Sequence, residues 1–390
     1  MFKIISAVTL SLGLILLSPA GPLPAQLAPR AQVSAADAYN PRPDSNDLIL
    51  PMPCGLQMVF KAVSLPVQGH LVDLETRLGT DDDHPNGFFD RRYKAFLGSA
   101  LSLDNLPPLF QETARKSLGA YTDQIYLIGK YEVTEAQWEA VMEGCLPLTQ
   151  ESALPKTNIS WYDTVAFTEK YMRFLLENHP DELPSFPGDI KNVGLIRLPS
   201  EAEWEFAARG GQAVSSDSTS AGIFPLDSGT TLADYGLFQD GVSPPAQKPG
   251  RIGAYRPNPL GIYDTVGNAA EMTSDMFKMT LGGRLHGAAG GVVRKGGSFR
   301  SDPSEILPGR RQEAALFYRN GPTSSNDLGF RLSLSAVAAP GGSRFSQLAQ
   351  EWEKIGQAPQ LEASANPLEK INRLIQSAES DEERAIFESL

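Results

Sequence analysis

Ile196-Arg-Leu-Pro-Ser-Glu-Ala-Glu-Trp-Glu-Phe-Ala-Ala-Arg-Gly210 is the stretch of the chain that decides the fold. It predicts a capped helix, because Ser200 stands three residues before Glu203, which is the spacing of a capping box. A pair of glycines at Gly210-Gly211 then ends the helix. The apolar residues between these signals suit one buried helical face, namely Trp204, Ala207 and Ala208.

Two earlier segments carry the same helix-start signal. Thr134 precedes Gln137 by three residues, and Ser160 precedes Asp163 by the same distance. Apolar residues follow each start at helical spacing and predict a buried face, with Trp138 and Met142 in the first helix and Val165, Tyr171 and Phe174 in the second.

The helix after Ser200 also carries a run of charges: Arg197, Glu201, Glu203, Glu205 and Arg209. The residues alone allow two interpretations, a catalytic group or a solvated face with a structural ion pair. We favour the second, because an Arg–Glu pair commonly locks loops onto such a helix.

From residue 212 to 335 the chain is rich in glycine and turn pairs, and its apolar runs are short. These runs predict short strands held between long loops: Ile262-Tyr263, Val292-Val293 and Phe330 to Leu332. So much irregular backbone needs something other than a regular sheet to fix it, and bound cations are one candidate.

The two ends of the chain differ in composition from its middle. Residues 1–20 predict a secretory signal peptide, with cleavage as late as Ala35 as an alternative and a retained membrane anchor as another. Residues 21–47 are rich in proline and alanine and predict a linker. The protein is therefore expected to be periplasmic or secreted. The net charge of −12 excludes a nucleic-acid partner, and membrane association is expected only through a partner.

Residues 48–60 predict an entering strand, and residues 61–120 predict an irregular insertion with an acidic loop at 81–87. Export would place Cys54 and Cys145 in an oxidising compartment, where they form either a disulfide or two buried thiols. Residues 341–390 predict an acidic, amphipathic helical tail that packs on the domain or docks on a partner. Its apolar positions are Phe345, Leu348, Trp352 and Ile355, then Leu368, Ile371, Leu374, Ile375 and Ala378, with a third start at Ser380 and Glu383.

Five segments in order give the chain a family resemblance. They are Lys130–Thr134 with Trp138, Ile159–Asp163, Ile196–Gly210, Asn258–Glu271, and Arg294–Phe299 followed by Asp327–Arg331. Over residues 48–335 the chain resembles the formylglycine-generating enzymes, or sulfatase-modifying factors. The resemblance implies an irregular α+β fold related to C-type lectins, with little regular secondary structure and with bound structural calcium.

The segment around Asp264 is the best metal-site candidate. Asp264 and Glu271 offer carboxylates seven residues apart, and Gly267 and Ala269 lie in the turn between them and can offer carbonyls. The same four positions bind calcium in the family that the chain resembles. A second family calcium site would map to Asp234 and the carbonyl of Tyr235, with Asp240 as a contributor.

The chain departs from the family at the oxidase centre. The family's two copper-binding cysteines correspond here to Ser301 and Ile306, so neither copper nor formylglycine generation is expected. An iron-dependent branch of the superfamily uses a histidine triad, whereas His70, His84, His179 and His286 are scattered, so iron is not expected either. Two aromatic positions beside the calcium segment are replaced by Ala270 and Met272, which puts sulfatase-type peptide recognition in doubt.

Two functions remain open, and the sequence does not decide whether the chain is an enzyme. The first is a non-catalytic, calcium-stabilised module that binds a protein or peptide partner, as in relatives that assist type VI secretion signalling. The second is a periplasmic enzyme with altered, copper-independent chemistry, as in relatives that mature siderophores such as pyoverdine. Its candidate groove residues are Ser298, Arg300, Ser301, Arg310 and Arg311, which alternatively only anchor loops.

Overall fold

The structure is a computed structural model that describes residues 34–80, 89–186, 194–215, 222–241 and 245–357. The predicted signal peptide, the acidic loop at 81–87 with His84, and the tail beyond residue 357 therefore lie outside the described residues. No helix within the described ranges is long and apolar enough to cross a membrane.

Mixed helix and sheet make up the described residues, as the predicted α+β class requires. The helices are α1 (Ala35–Tyr39), α2 (Pro108–Arg115), α3 (Glu135–Met142), α4 (Trp161–Asn178), α5 (Glu201–Ala208) and α6 (Gly342–Gln357). The strands are β1 (Leu48–Pro51), β2 (Gln57–Ser64), β3 (Leu74–Leu78), β4 (Tyr93–Leu97), β5 (Ile125–Gly129), β6 (Gly194–Arg197), β7 (Ala270–Met276), β8 (Thr280–Leu281), β9 (Arg284–Leu285), β10 (Val292–Lys295), β11 (Gln312–Ala314), β12 (Phe317–Tyr318), β13 (Gly321–Pro322), β14 (Leu328–Gly329) and β15 (Ser333–Ala336).

A five-stranded sheet carries the largest core, in the order β1-β2-β5-β15-β6. The predicted entering strand is two strands, because the turn at Pro53–Gly55 separates β1 from β2 and Cys54 there adopts a left-handed φ of 64°. Cys54 forms a disulfide with Cys145, just beyond α3. A bridge that closes a loop of this length is worth about 4 to 5 kcal/mol in the chain-entropy account.

A four-stranded sheet, in the order β11-β10-β7-β14, positions the groups that matter for the site. Strand β7 pairs antiparallel with β10 and parallel with β14, and its register places Glu271 opposite Lys295. Helix α5 contacts both β7 and β10. The charged residues of α5 therefore face those of the sheet.

All three predicted capping boxes are present, at Thr134, Ser160 and Ser200. Gly210 follows α5 in a left-handed conformation, as a helix stop requires. The predicted face of α4 was wrong at Val165, which is 41% exposed. The buried stripe runs instead through Phe167, Tyr171 and Leu175, four residues apart.

Three other segments differ from the sequence-based expectation. Residues 61–120 are not irregular throughout, since they contain the antiparallel β3–β4 hairpin and α2. Residues 330–332 join β14 to β15 rather than forming a strand, and residues 262–263 are also non-strand. The described part of the predicted linker, 34–47, packs on the domain, since Ala38 is buried and Asp47 binds the Lys130 ammonium at 2.7 Å.

Candidate functional site

The charges of α5 form a buried group with residues from the sheet, here called the balanced cluster: Glu201, Glu205, Arg209, Lys295 and Arg311. Glu205 is fully buried and accepts hydrogen bonds from the Lys295 ammonium at 2.7 Å and the Gly79 backbone N–H at 2.8 Å. It also pairs with Arg209 one helical turn later. Two carboxylates thus meet three cations inside the protein.

The expectation of a solvated face was wrong for this cluster, because its carboxylates and Arg209 are buried. The ion pairing that the sequence predicts is present, since Glu205 binds Arg209 and Lys295. Burial by itself would raise the pKa of Glu205, but the charges of Lys295 and Arg209 outweigh burial and hold that pKa below its ordinary value of 4.5. Glu205 is therefore held as a carboxylate that anchors helix to sheet.

Arg310 and Arg311, two of the candidate groove residues, tie the 61–120 region to the domain. The Arg310 guanidinium binds Asp90 at 2.8 Å and donates to the Ser304 carbonyl at 2.7 Å. Arg311 forms a two-pronged pair with Glu201 and donates to the carbonyls of Phe89 and Lys278. Both side chains are buried, so their donors serve loop anchoring.

The remaining groove candidates are not brought into one polar group. Ser298 is buried and its hydroxyl donates to Asp327 at 3.2 Å, while the Ser301 hydroxyl accepts from the Ser298 backbone N–H at 3.2 Å. Arg300 is exposed and its guanidinium lies over the Phe299 ring. These contacts close the turn that follows β10.

Ile306, the second position of the missing cysteine pair, lies in an apolar cluster. Its side chain is 0% exposed and packs with Phe224, Tyr235 and Val266. A Cβ on Gly297 would lie 2.8 Å from an Ile306 methyl carbon, so the turn and the isoleucine are in close contact. Hydrophobic packing therefore fills the space where the family resemblance would place a thiolate.

A second buried group, here called the acid-rich cluster, gathers Glu132, Asp264 and Glu271 around the guanidinium of Arg331. Both Glu271 oxygens are engaged, one by the Trp204 indole N–H at 2.6 Å and the Arg331 Nε at 2.5 Å, the other by Arg331 Nη2. The two Glu132 oxygens accept from the Asn268 side chain at 2.6 Å and the Ala269 N–H at 2.9 Å. All three carboxylates are buried.

Asp264 is the least satisfied member of this cluster. Its Oδ2 accepts from the Gly253 N–H at 2.8 Å, whereas its Oδ1 is buried without a hydrogen-bond partner among the described residues. Its backbone φ is 57°, and that of Asn268 is 59°, a left-handed conformation that costs energy in residues other than glycine. Between them, Gly267 is obligatory, because a Cβ there would lie 2.2 Å from the Leu237 carbonyl oxygen.

The pKa values of Glu132 and Asp264 in this cluster are raised, whereas the pKa of Glu205 is lowered. Burial raises the pKa of Glu132 well above 4.5, and the charges of Asp264 and Glu271 raise it further. Burial, with the charge of Glu271, raises the pKa of Asp264 to about 6 despite the Gly253 hydrogen bond and the charge of Arg331. Three carboxylates against one guanidinium leave an excess of negative charge, which a cation or protons must offset.

The orphaned Asp264 oxygen and the charge excess fit a bound cation, and hard oxygen donors suit calcium. The other predicted carboxylate ligand, Glu271, is committed to Arg331, so a cation would have to compete with that pair. Across the described ranges, no three His, Cys, Asp or Glu side chains are grouped as a ready metal site.

The residues of the predicted second calcium site perform structural tasks. Asp234 Oδ2 accepts from the Thr231 N–H at 2.8 Å and from its hydroxyl at 3.1 Å, which closes a capping box. The Asp234 carbonyl accepts from the Arg256 N–H, and the Tyr235 ring packs against Phe224. Asp240 lines a separate cavity of about 350 Å³.

Comparison with known proteins now decides the family. A family profile described as "Sulfatase-modifying factor enzyme 1-like domain" matches residues 112–336, more than half of the chain. The chain belongs to this family. The matched region contains β5, α3 to α5, the four-stranded sheet and both buried clusters.

Curated relatives agree with the family assignment. The chain is 33% identical to the formylglycine-generating enzyme of Streptomyces coelicolor over 158 residues, covering 37% of this chain and 48% of that protein. It is 30% identical to the chaperone protein LppX of Paenibacillus barcinonensis over 171 residues, covering 37% of this chain and 60% of the relative. The match to the bovine formylglycine-generating enzyme is 31% over 163 residues, or 37% and 40% of the two chains. The chain thus spans about half the length of these relatives.

Two solved structures align with about three quarters of the chain. Treponema denticola variable protein 1 superimposes with a TM-score of 0.49 and 20% identity, over 74% of this chain and 98% of that chain. PvdO from Pseudomonas aeruginosa gives a TM-score of 0.46 and 17% identity, over 74% and 97% of the respective chains.

Glu132 lies in one of the segments that carry the family resemblance, but the sequence analysis did not predict it as a site residue. The structure shows it fully buried and bonded to the turn between Asp264 and Glu271. The sequence did hold a signal for Glu132, since this acidic residue stands between the apolar Tyr131 and Val133, where burial of an unpaired carboxylate is costly.

Proposed function

We propose that this sulfatase-modifying-factor-like domain is an exported, non-catalytic binding or regulatory module stabilised by calcium. The observation that carries the proposal is the complete burial of Ile306 in an apolar cluster, at one of the two positions where the resemblance places copper-binding thiolates. Ser301, at the other, is buried and bonded within its own turn. Both cysteines of the chain are used in the Cys54–Cys145 disulfide.

Calcium is part of the proposal because of the acid-rich cluster. The unpartnered Asp264 Oδ1 and the raised carboxyl pKa values support a buried cation, held by Asp264 and Glu271 with the carbonyls of Gly267 and Ala269. In this role calcium is structural and fixes the turn that joins β7 to the rest of the domain. Asp234 and Tyr235 have less support as a second site, because the Asp234 carboxylate already caps a turn.

A protein or peptide partner is the ligand class that we propose, reached in the periplasm or outside the cell. Exposed aromatic side chains, which are enriched in protein interfaces, support a binding role. Phe317 and Tyr318 are exposed on the β12–β13 hairpin, and the Phe317 ring lies 5.1 Å from that of Tyr162. A part in type VI secretion signalling is one such role.

The alternative of an enzyme with altered chemistry has less support. Two of its five candidate groove residues already form ion pairs, because Arg310 binds Asp90 and Arg311 binds Glu201. Ser298 is buried and bonded to Asp327. Arg310 and Arg311 do line a cavity of about 330 Å³, but a role in siderophore maturation would need their guanidinium groups to exchange these ion pairs for a substrate.

The experiment measures copper(I) binding and the oxidation of a synthetic peptide that carries a sulfatase's target cysteine. The wild-type protein is expected to bind no copper(I) tightly and to leave the peptide thiol unchanged by mass spectrometry. The matched variant Ser301→Cys with Ile306→Cys restores the thiol pair and is expected to bind copper(I), because thiolates suit that soft ion. Conversion of the peptide cysteine to an aldehyde by the wild-type protein would overturn the proposal.

A further inference from the structure

Residues 40–47 are held on the domain by ion pairs. The Asp47 carboxylate lies between two ammonium groups, 2.7 Å from Lys130 Nζ and 2.9 Å from Lys61 Nζ. Asp44 adds a second pair with Lys61 at 2.8 Å. Because Lys61 and Lys130 are both buried, this segment supplies the carboxylates that offset their charges. Residues 40–47 therefore form a docked N-terminal strap.

The hydroxyl group of Tyr131 joins the strap to the residue before Asp264. It accepts a hydrogen bond from the Arg42 N–H at 3.2 Å and donates to the side-chain oxygen of Asn40 at 3.1 Å. The Tyr131 ring stacks on the Tyr263 ring, with centroids 5.1 Å apart. Since Tyr263 directly precedes Asp264, two packed rings lie between the strap and the backbone of the acid-rich cluster.

A second connection runs through Gly253. The Arg42 Nε donates to the Gly253 carbonyl at 3.3 Å, and the Gly253 N–H donates to Asp264 Oδ2 at 2.8 Å. Gly253 has a left-handed φ of 64°, and a Cβ there would lie 2.9 Å from Tyr131 Cε1 and 3.1 Å from Pro41 Cγ. The strap and Tyr131 therefore pack closely on the residue that orients the Asp264 carboxylate.

The orientation of Asp264 matters because its two carboxylate oxygens have different roles. Oδ2 accepts the Gly253 hydrogen bond, while Oδ1 is the buried oxygen that has no partner among the described residues. The left-handed backbone of Asp264 costs energy, so it persists only where its surroundings hold it. A carboxylate that is fixed before its ligand arrives binds more tightly, because less conformational freedom is lost on binding.

We propose that the N-terminal strap positions Asp264 through Tyr131 and Gly253, so that docking of the strap and binding of calcium at the acid-rich cluster strengthen each other. The positioning follows from contacts within the protein, whereas the effect on calcium rests on the proposed function. Coupling of this kind is reciprocal, so the strap tightens calcium by the factor by which calcium tightens the strap. Displacement of residues 40–47 by a protease or a partner then lowers the calcium affinity of the domain.

The variant Tyr131→Phe tests the positioning, because it removes the hydroxyl group that holds the strap and keeps the ring that stacks on Tyr263. Amide hydrogen exchange in calcium-free buffer is read by mass spectrometry on peptides that contain Gly253. The exchange is expected to be about three- to tenfold faster in this variant than in the wild-type full chain, as the weakening of one hydrogen bond would give.

Tyr171→Phe is the matched control. Its hydroxyl group lies on helix α4 and donates to the Pro51 carbonyl at 3.1 Å rather than to the strap. The control therefore loses a hydrogen bond of the same chemistry, and peptides that contain Gly253 are expected to exchange at the wild-type rate.

Isothermal titration calorimetry then measures the coupling to calcium. The dissociation constant for calcium is expected to rise about three- to tenfold in Tyr131→Phe and to stay at the wild-type value in Tyr171→Phe. In the wild-type protein, saturating calcium is expected to slow the amide exchange of residues 40–47, because the coupling is reciprocal. A purely structural role of the strap would change neither quantity.

Each result decides one part of the proposal. Unchanged exchange around Gly253 in Tyr131→Phe would overturn the positioning, whether or not the protein binds calcium. Faster exchange with an unchanged dissociation constant would overturn the coupling, and so would an equal loss of calcium affinity in both tyrosine variants. A wild-type protein that binds no calcium would overturn the calcium site of the proposed function together with the coupling, while the exchange measurement still decides the positioning.

Discussion

The two buried charge clusters lie next to each other, with the Trp204 indole in contact with both Glu271 and the Lys295 ammonium, but they differ in how their charges are compensated. In the balanced cluster, two carboxylates, Glu201 and Glu205, meet three protein cations. In the acid-rich cluster, three carboxylates share the guanidinium of Arg331. The pKa of Glu205 is lowered in the first cluster, whereas the pKa of Glu132 is raised in the second.

This difference separates a structural role from a binding role. A buried carboxylate whose charge is offset by protein cations, such as Glu205, needs no ligand and anchors the helix to the sheet. A buried carboxylate with an unpartnered oxygen, such as Asp264, is complete only with a proton or a cation. Charge balance, rather than the mere presence of acidic residues, therefore identifies the place where calcium is to be sought.

The largest expected effect comes from the same substitution made in each cluster. Glu205→Gln leaves Lys295 and Arg209 without their carboxylate and is expected to lower the free energy of unfolding by about 3 to 5 kcal/mol. Glu132→Gln removes one of three carboxylates that share the Arg331 guanidinium, but its amide replaces one of two oxygens that accept hydrogen bonds, so in calcium-free buffer it is expected to cost only about 1 to 2 kcal/mol. Urea denaturation of both variants measures the difference, and equal losses would contradict the charge-balance argument.

The pH dependence of the free energy of unfolding provides a control for Glu205→Gln. The folded pKa of Glu205 is below the ordinary value of 4.5, so its carboxylate stabilises the protein above about pH 4.5. That contribution is lost as the pH falls through the folded pKa. The acid-induced loss of stability is therefore expected to be smaller in Glu205→Gln than in the wild type.

The second-largest expected effect is the stabilisation of the folded protein by calcium bound at the acid-rich cluster. Calcium at a hundred times its dissociation constant is expected to raise the free energy of unfolding by about 2.7 kcal/mol, because it binds only the folded chain. Asp264→Ala removes the unpartnered oxygen and is expected to abolish this gain, whereas Asp302→Ala, at an exposed position outside both predicted calcium sites, serves as the control and is expected to keep it. Thermal unfolding with and without calcium provides the measurement. If neither calcium nor a chelator changed the thermal stability of the wild-type protein, calcium would no longer be part of the proposal.

Much of the local structure around the two clusters could be predicted from the sequence. The three capping boxes, the stop at Gly210 and the turn between Asp264 and Glu271 are local signals, in which a few neighbouring residues determine the conformation. The family resemblance rests on the same segments and is confirmed by the family match over residues 112–336. Local chemistry of this kind can be predicted because its causes are adjacent in the chain.

The long-range pairings could not be predicted. Glu205 meets Lys295 across 90 residues, and Arg331 meets Glu271 across 60, so no local pattern shows whether a given acid is paired. Val165 was misplaced for a related reason, since two overlapping apolar stripes fit α4 and only the packed sheet selects one. The balance of each cluster is a property of tertiary structure alone.

The smallest expected effect lies at the edge of the balanced cluster, where burial is incomplete. Arg197 binds both oxygens of Glu203 at 2.6 Å, but the Arg197 side chain is 28% exposed. Arg197→Met is expected to cost only about 1 kcal/mol in urea denaturation, because water can enter the partly exposed position that the guanidinium leaves and the Ser200 N–H still donates to the Glu203 carboxylate at 2.8 Å. If Arg197→Met lowered the free energy of unfolding as much as Glu205→Gln does, the loss of the ion pair itself would determine the destabilisation. Exclusion of water from the pair would then matter little. The contrast between the two clusters would then rest on the number of ion pairs and not on their desolvation.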